Sequence, residues 1–556
     1  MDRQTFAGDG STNRIRNHNT WIERLIVIAL LLAGVLLFTI NLGNVPLRDW
    51  DEGTVAQVAR EIVQASAGSN RWLFPTLWGE PYLNKPPLVH DLIAISYQAG
   101  GVNEITARLP GALLMAVSVP LFYGLGKELF LTRQPALIAT LIYLTTLPLV
   151  RHGRLAMLDG PVICFTILLG WSALRSRRDL RWCFGIGLSL SLIGLTKGIM
   201  AILLGGIVFA FLAWNTPRLF RSFYFWGGLI LGCLPVFGWY GWQWYHYQQQ
   251  FLETAIVSQS FSRLWRAVDD NSGPPWFYLL HLLHFLPWLI FSLYGLHLAW
   301  KNQIWSWAKL VLLWSSIYFI VISVMSTKLP WYILPIYPAL ALAAGVMVTE
   351  ILRYPSQFSY RWYWGMWGIL SILLAGVAGG AGIYYGFFAA NPSKELAIIG
   401  LAVALTTGVS GGLLLRRDRQ FINILTWGMY VSLLMLVSSP YWLWELNEAY
   451  PVKPVAMLIQ DQVPESASIY TSFPYERPSL NFYAEKRVIP ATQEELQTYW
   501  ERNPSAYLLV DTKTLQQLAI DESSGRRYQA PPNWHLISPK NNIAILEFMR
   551  YSNNSE

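Results

Sequence analysis

Apolar residues come in blocks separated by short polar connections along most of the chain. The blocks are roughly 17–25 residues long, the length that crosses a hydrocarbon core about 30 Å thick. The pattern predicts thirteen membrane spans and a mainly α, polytopic helical bundle over residues 1–441. The approximate bounds of these spans are 25–40, 107–130, 135–150, 160–175, 182–196, 199–214, 224–245, 276–299, 309–326, 331–352, 362–386, 395–415 and 421–441.

The last part of the chain, residues 442–556, is more polar and has a different periodicity. Strand-like runs alternate there with helical stretches, which predicts a small α/β domain with a core of its own. The predicted strands are 468–471, 506–510 and 542–548, and the predicted helices are 452–462 and 492–502.

The first connection, residues 43–104, is much longer than the others and carries amphipathic patterns. Apolar residues recur at helical spacing from Val55 to Ile62, and Asp51 stands at the expected N-cap. A second helix is predicted after Lys85-Pro86-Pro87, because proline suits a first helical turn. We expect both helices to lie in the membrane interface.

Composition and charge agree with a membrane protein of the plasma (inner) membrane. The chain is 53% hydrophobic and 13% charged, whereas soluble proteins average about 25% charged residues. If the N-terminus is cytoplasmic, the tight basic clusters all fall on the cytoplasmic side, and the C-terminal domain is extracytoplasmic. The net charge of +8 therefore reflects topology, and no basic run with interleaved aromatic residues indicates a nucleic-acid partner. The three cysteines fall in apolar stretches and are predicted to be buried thiols.

Acidic residues near the outer end of the first span are the first candidates for chemistry. Asp49, Asp51 and Glu52 cluster there, and two interpretations stay open. One is a solvated loop face with a helix cap. The other is a general base, or a carboxylate that holds a sugar hydroxyl at a partly desolvated site.

Basic residues in the outer connections are the second set of candidates, because the positive-inside bias disfavours them there. They share one side of the membrane, so a lipid-linked phosphate is a plausible common target. The alternative is a structural role, in which each basic residue pairs with a local carboxylate. For Lys85, which stands before a helix, the alternative to phosphate binding is that its side chain extends toward lipid headgroups. The set is Lys85, Arg151, Arg154, Lys197, Arg263, Arg266 and Lys328. No ligand spacing predicts a structural metal.

Several motifs resemble the GT-C type polyprenyl-phosphate-dependent glycosyltransferases, in the protein mannosyltransferase-like group that includes the aminoarabinose transferase of lipid A. The resemblance covers about 40–350 well and extends through all predicted spans. Its motifs are Asp51-Glu52-Gly53-Thr54, Pro81-Tyr82-Leu83-Asn84-Lys85-Pro86-Pro87, Asn103 to Pro110, Ala156 to Asp159, Thr196-Lys197-Gly198 and Lys328-Leu329-Pro330-Trp331-Tyr332.

The resemblance implies transfer of a sugar from a polyprenyl-phosphate carrier to a lipid, glycan or protein acceptor on the outer face, with inversion. It implies catalytic roles for Asp51, Glu52 and Asp159. Phosphate or substrate binding is implied or expected for Tyr82, Lys85, Arg154, Lys197, Arg263, Lys328 and Tyr332. No cofactor is required by this scheme, although some GT-C enzymes use a divalent metal ion.

Two departures from the family pattern affect the expected substrate. Thr54 stands where close relatives of the aminoarabinose enzyme have arginine, and Gln259-Ser260 replaces a Glu-His or Glu-Asn pair before Arg263. They suggest a different sugar or acceptor. Two alternatives remain: a transporter or flippase of a lipid-linked substrate, and a structural subunit whose outer domain binds partners.

Overall fold

The computed structural model describes residues 9–66, 68–267, 271–353, 362–443, 452–502, 506–518, 525–530 and 533–539. Its contacts divide the chain into two compact units. The first unit is Met1–Leu42, Leu83–Val89 and Arg108–Trp442, and the second is Gly43–Tyr82, His90–Ala107 and Leu443–Glu556. The first unit ends at Trp442, and most of the long first connection belongs to the second unit. The domain division at residues 441 and 442 stays a prediction.

Helices form throughout the apolar part of the chain, and each of the thirteen predicted blocks is helical. The α-helices are Asp9–Thr39, Leu88–Gly100, Glu104–Leu129, Arg133–Leu144, Leu147–His152, Asp159–Ser176, Trp182–Lys197, Met200–Asn215, Phe223–Phe251, Ser262–Trp265, Phe277–His281, Trp288–Lys301, Ser306–Val324, Tyr337–Arg353, Trp362–Ile383, Lys394–Leu415 and Phe421–Ser438. Shorter 3₁₀ or π-helical segments are Pro217–Arg221, Leu252–Phe261, Leu282–Phe285, Pro330–Ile336, Tyr384–Phe388 and Pro440–Trp442.

Only some of these helices are long enough to span a membrane. Within the described ranges, eight helices are long and apolar enough to cross a membrane, or nine if one pair bent by 110° counts as a single span. The remaining blocks are divided or short: 135–150 breaks at Thr145 before Pro148, and Trp182–Lys197 has only 16 residues. A span takes about 20 apolar residues, so thirteen spans stay a prediction, while a multi-span membrane protein is confirmed.

Small residues bring helices of the first unit close together. A Cβ on Gly345 would stand 2.6 Å from the Cβ of Ala139 and 2.8 Å from its backbone nitrogen. The helices Arg133–Leu144 and Tyr337–Arg353 therefore pack almost backbone to backbone, as small residues allow in membrane proteins. The three cysteines are buried and free, as expected from their apolar settings.

The second unit contains a mixed five-stranded sheet with helices around it. The strands described in the chain are β1 Thr76–Leu77, β2 Glu80–Pro81, β3 Ile469–Thr471, β4 Val488–Pro490, β5 Tyr507–Asp511, β6 Gly525–Ala530 and β7 Trp534–Pro539. The five-stranded sheet has the order β4-β3-β5-β7-β6, with β3 parallel to β4 and β5, and β7 antiparallel to β5 and β6. The helices of this tail are Val452–Gln462, Pro478–Ala484, Gln493–Arg502 and Thr512–Gln517.

The tail therefore has the predicted α/β character. Two predicted strands and both predicted helices are confirmed, while β4, β6 and β7 were not predicted. The predicted strand 542–548 lies outside the described residues. Apolar residues cover both faces of the sheet: Leu509 and Leu536 belong to one core, and Leu508 and Ile537 to the other.

The predicted helix of the first connection runs from Asp51 to Gln64. Its N-cap is Trp50, so the prediction that Asp51 occupies the cap is wrong by one residue. Residues Glu52, Gly53 and Val55 through Arg60 are buried, and the helix packs against Pro478–Ala484 of the same unit. Protein, rather than lipid, covers this apolar face.

Candidate active site

A cavity of about 290 Å³ lies within the first unit and brings several predicted site residues together. Among the described residues that line it, three carry a positive charge and none carries a carboxylate. The polar lining consists of Asn84, Lys85, Lys197, Tyr240, Gln259, Arg263, Tyr318 and Tyr332. The cavity is therefore suited to an anion.

Gln259 links two cations, Lys85 and Arg263, that are far apart in the sequence. Its Oε1 accepts hydrogen bonds from Lys85 Nζ at 3.2 Å and from Arg263 Nη2 at 2.9 Å. Arg263 Nη1 also donates to the Tyr332 hydroxyl at 3.0 Å. Lys85, Arg263 and Tyr332 thus form one hydrogen-bonded group around the amide of Gln259.

Local structure explains how these side chains converge. Gln259 and Arg263 are four residues apart in consecutive helical segments, Leu252–Phe261 and Ser262–Trp265, so both lie on one helical face. Tyr332 lies in the 3₁₀ segment Pro330–Ile336, and its backbone oxygen accepts a hydrogen bond from Tyr318 at 2.7 Å. The proline-rich motif thereby fixes the backbone of Tyr332 beside the cavity.

Lys197, which lines the same cavity, forms a largely buried ion pair with Asp159. Lys197 Nζ donates to Asp159 Oδ1 at 2.7 Å, with side-chain exposures of 15% and 9%. Lys197 Nζ also stands 5.2 Å from the centre of the Tyr332 ring. The pair supports, for Lys197, the alternative that each basic residue pairs with a local carboxylate.

Apolar side chains complete the wall beside the cations. They include Ile199, Met200, Ile202, Leu203, Trp239, Val321, Ile322 and Met325. Ile202 is 74% exposed, so this apolar lining continues onto the outside of the helix Met200–Asn215. Cations next to an apolar wall suit a ligand with a phosphate group and a hydrocarbon chain.

Arg154, predicted to bind phosphate, donates from both of its terminal nitrogens to backbone oxygens. It is fully buried and donates to the carbonyls of Leu37, Ile40 and Val437. Its guanidinium carbon lies 4.7 Å from the ring centre of Trp442. Arg154 is absent from the described cavity lining, and these contacts indicate that it ties helix ends together.

Lys328 also bonds to backbone oxygens near a helix end. Its Nζ donates to Ser323 O and Met325 O, both at 2.7 Å, at the C-terminus of Ser306–Val324. Burial lowers the pKa of Lys328. A lysine that satisfies terminal carbonyls is a common helix-ending arrangement, and Lys328 is not among the described lining residues.

The other predicted residues belong to the second unit. Asp51 is partly exposed, whereas Glu52 is fully buried and its Oε2 accepts a hydrogen bond from the Arg48 amide at 2.8 Å. The ring of Tyr82, which is 8% exposed, meets His90 edge-on with centroids 5.4 Å apart. The hydrogen bond from the Arg48 amide to Glu52 thus stabilises the turn that precedes the helix Asp51–Gln64.

A further carboxyl of this unit, Asp91, was not singled out by the sequence. It lies in the first turn of Leu88–Gly100, and burial raises its pKa to about 8. In the part of the chain that the structure describes, its buried Oδ1 has no hydrogen-bond partner. The described residues also contain no group of three histidine, cysteine, aspartate or glutamate side chains able to hold a metal.

Sequence reasoning named the charged members of the cavity but missed the role of Gln259, which it noted only as a departure from the family pattern. It also missed Tyr240 and Tyr318, which line the cavity. A signal for Gln259 existed in its spacing of four from Arg263.

Comparison with known proteins finds related transferases. Residues 84–242 match the family model described as dolichyl-phosphate-mannose-protein mannosyltransferase. An uncharacterized protein of Aquifex aeolicus is 26% identical over 63% of this chain and 69% of its own length. The undecaprenyl phosphate-alpha-4-amino-4-deoxy-L-arabinose arabinosyl transferase 1 of Pseudomonas fluorescens is 29% identical over 58% of this chain. That alignment spans only 59% of the transferase.

Solved structures share the fold. ArnT from Cupriavidus metallidurans, bound to undecaprenyl phosphate, superposes with a TM-score of 0.72 at 18% identity, covering 93% of this chain and 98% of ArnT. The archaeal oligosaccharyltransferase AglB from Archaeoglobus fulgidus gives 0.51 at 11% identity, covering 94% of this chain and 74% of AglB. The shared fold and the sequence matches support the resemblance of the chain to the GT-C glycosyltransferases.

Proposed function

We propose that the protein is a membrane glycosyltransferase that takes a sugar from a polyprenyl-phosphate carrier. The observation that carries the proposal is the cavity in which Lys85, Arg263 and Tyr332 meet an apolar wall. A carrier of this kind is a phosphate ester of a long hydrocarbon, and both parts find matching chemistry there. The named arabinosyl transferase relatives support the same class of donor.

In this proposal the cations act mainly on the leaving group. An acceptor oxygen attacks the anomeric carbon while the bond from that carbon to the phosphate oxygen breaks, which inverts the anomeric centre. The carrier leaves as a phosphate monoester with one more negative charge than the donor. Lys85 and Arg263, already oriented by Gln259, stabilise that added charge as it develops.

The carboxylates take the roles that the family resemblance implies. Asp51 accepts the proton of the attacking hydroxyl. Lys197 lines the cavity and is paired with Asp159, and this pair is proposed to contact the sugar. The acceptor is a lipid, glycan or protein on the outer face of the plasma membrane, and Thr54 and Gln259 make a sugar other than aminoarabinose the expected one.

Transport of a lipid-linked substrate is the weaker alternative. The relatives whose names state an activity are transferases, and no described feature specifically favours a flippase. Flux of labelled carrier between leaflets, without any glycosyl product, would support transport instead.

Purified full-length protein in lipid nanodiscs provides the direct test. Binding of radiolabelled polyprenyl phosphate is compared for the wild type, Lys85→Ala and Arg263→Ala, with Lys394→Ala as the control for loss of an exposed cation. A charge-assisted hydrogen bond contributes about 1.5–3 kcal/mol, so each cavity variant should bind about 10- to 150-fold more weakly. Equal affinity in all four proteins would refute the proposed phosphate site.

Activity is tested separately from binding. Lipid extracts that contain polyprenyl-phosphate sugars are added to the nanodiscs, and mass spectrometry follows loss of sugar from the carrier. Mass spectrometry of envelope lipids and glycans from a deletion strain and its parent then identifies the sugar and the acceptor. Unchanged profiles in the deletion strain would contradict the function.

A further inference from the structure

Asp49, two residues before Asp51, is held by the C-terminal part of the same unit. Its Oδ2 accepts a hydrogen bond from Arg477 Nε at 2.7 Å, and its Oδ1 accepts one from the Ser479 amide at 3.1 Å and another from the Ser479 hydroxyl. The Arg477 side chain is 2% exposed, so the ion pair is buried. Three donors thus fix one carboxylate.

The first turn of the helix after Asp51 packs directly on the backbone of the same C-terminal segment. A Cβ on Gly53 would stand 2.5 Å from the Ser479 nitrogen and 2.6 Å from the Pro478 carbonyl carbon. Since real Cβ atoms essentially never approach so closely, only glycine permits this arrangement. The close approach locates the helix start independently of the ion pair.

Two more contacts hold the chain at positions before and after Asp51 in the sequence. Before it, the amide of Leu47 donates to the Tyr483 hydroxyl at 2.8 Å. After it, Arg60 donates from Nη1 to the Phe482 carbonyl at 2.7 Å and stacks over the Phe482 ring at 3.9 Å. The segment 475–485 therefore contacts positions 47, 49, 53 and 60, which bracket Asp51.

We propose that this segment is a positioning element for Asp51, with Asp49, Gly53, Arg477 and Ser479 as positioning residues. The inference rests on the proposed function, because it assumes that Asp51 takes part in transfer. It gives the C-terminal α/β tail a defined part in the chemistry. The tail would hold the backbone that carries a catalytic carboxylate, without touching substrate through these residues.

The resulting expectation is a loss of rate without a loss of carrier affinity. Misplacing a reacting group by about 1 Å costs on the order of 100-fold in rate. We therefore expect Gly53→Ala and Asp49→Asn to lower the single-turnover rate at saturating donor by at least tenfold. Their affinity for polyprenyl phosphate should stay within twofold of wild type, because none of these residues lines the described cavity.

The experiment uses full-length protein in nanodiscs and three readouts: single-turnover rate, affinity for polyprenyl phosphate, and melting temperature. Gly412→Ala is the matched control, since a Cβ there meets nothing within 4 Å. Rates are measured well below the melting temperature of each variant, so a smaller folded fraction does not imitate lost positioning.

Two results would overturn the inference. One is that both variants keep wild-type rates. The other is that rate and carrier affinity fall by the same factor, which would assign the segment a general folding role. Failure of the proposed function itself looks different, because the wild type would then release no sugar and Lys85→Ala would bind carrier normally.

Discussion

The substitution Gln259→Glu tests the charge of the cavity with almost no change in shape. Gln259 Oε1 already lies 3.2 Å from Lys85 Nζ and 2.9 Å from Arg263 Nη2. A carboxylate in its place would pair with both cations and oppose any phosphate bound to them. We therefore expect weaker binding of the carrier, although every neighbouring side chain stays in place.

The magnitude follows from Coulomb's law. A phosphate on the same two cations would lie about 5 Å from the new carboxylate, and at an effective dielectric constant of about 20 the repulsion is about 3 kcal/mol. Water and movement of the side chains reduce this to about 1–2 kcal/mol, which corresponds to roughly 5- to 30-fold weaker binding. Gln259→Leu, which removes the bridge but adds no charge, should have a smaller effect on affinity.

Equilibrium binding of polyprenyl phosphate to protein in nanodiscs measures this effect. Gln250→Glu adds a carboxylate at an exposed position nearby in sequence and controls for general surface charge. An affinity of Gln259→Glu within twofold of wild type would refute the reasoning, because it would mean that Lys85 and Arg263 do not bind the phosphate together.

Three further predictions concern buried charges. Asp159→Asn and Lys197→Met should each lower the free energy of unfolding by about 3–5 kcal/mol, because each leaves a buried charge without its partner. The double variant should lose less than the sum of the two. Thermal melts of all four proteins test this, and additive losses would contradict it. Burial raises the pKa of Asp91 to about 8, so the folded state binds its proton more tightly. Stability should then fall as pH rises from about 4 to about 8 in the wild type but less in Asp91→Asn, and parallel melting curves would contradict this. Arg154→Met should lower the melting temperature but leave the affinity for the carrier within twofold of wild type. A large loss of affinity in fully folded protein would contradict this and would indicate that Arg154 binds the phosphate.

Much of the architecture follows from local patterns in the sequence. The apolar blocks are long and continuous, so each predicts a helix wherever it packs, and all thirteen are helical. The strand-like run 506–510 also predicted β5, whose residues are buried on both faces. The edge strands β4 and β6 escaped prediction because they are short or polar. Each is defined by its pairing with one neighbour, β4 with β3 and β6 with β7.

The candidate site shows the limit of such local reasoning. A lysine in a connection between apolar blocks has the same sequence signal whether it lines a cavity, as Lys85 does, or bonds to terminal carbonyls, as Lys328 does. The distinction depends on which backbone groups are left unsatisfied by neighbouring helix ends. Only packing reveals those groups.

The sequence by itself determined the helical membrane class and the α/β character of the tail, and its motifs gave the resemblance to the GT-C glycosyltransferases. The tertiary structure alone decided that Lys85, Gln259, Arg263 and Tyr332 share one hydrogen-bonded cluster and that Arg477 holds Asp49. The physical reason is range. Periodicity and capping act over a few residues, whereas hydrogen-bond partners separated by hundreds of positions are chosen by how whole helices and the sheet pack.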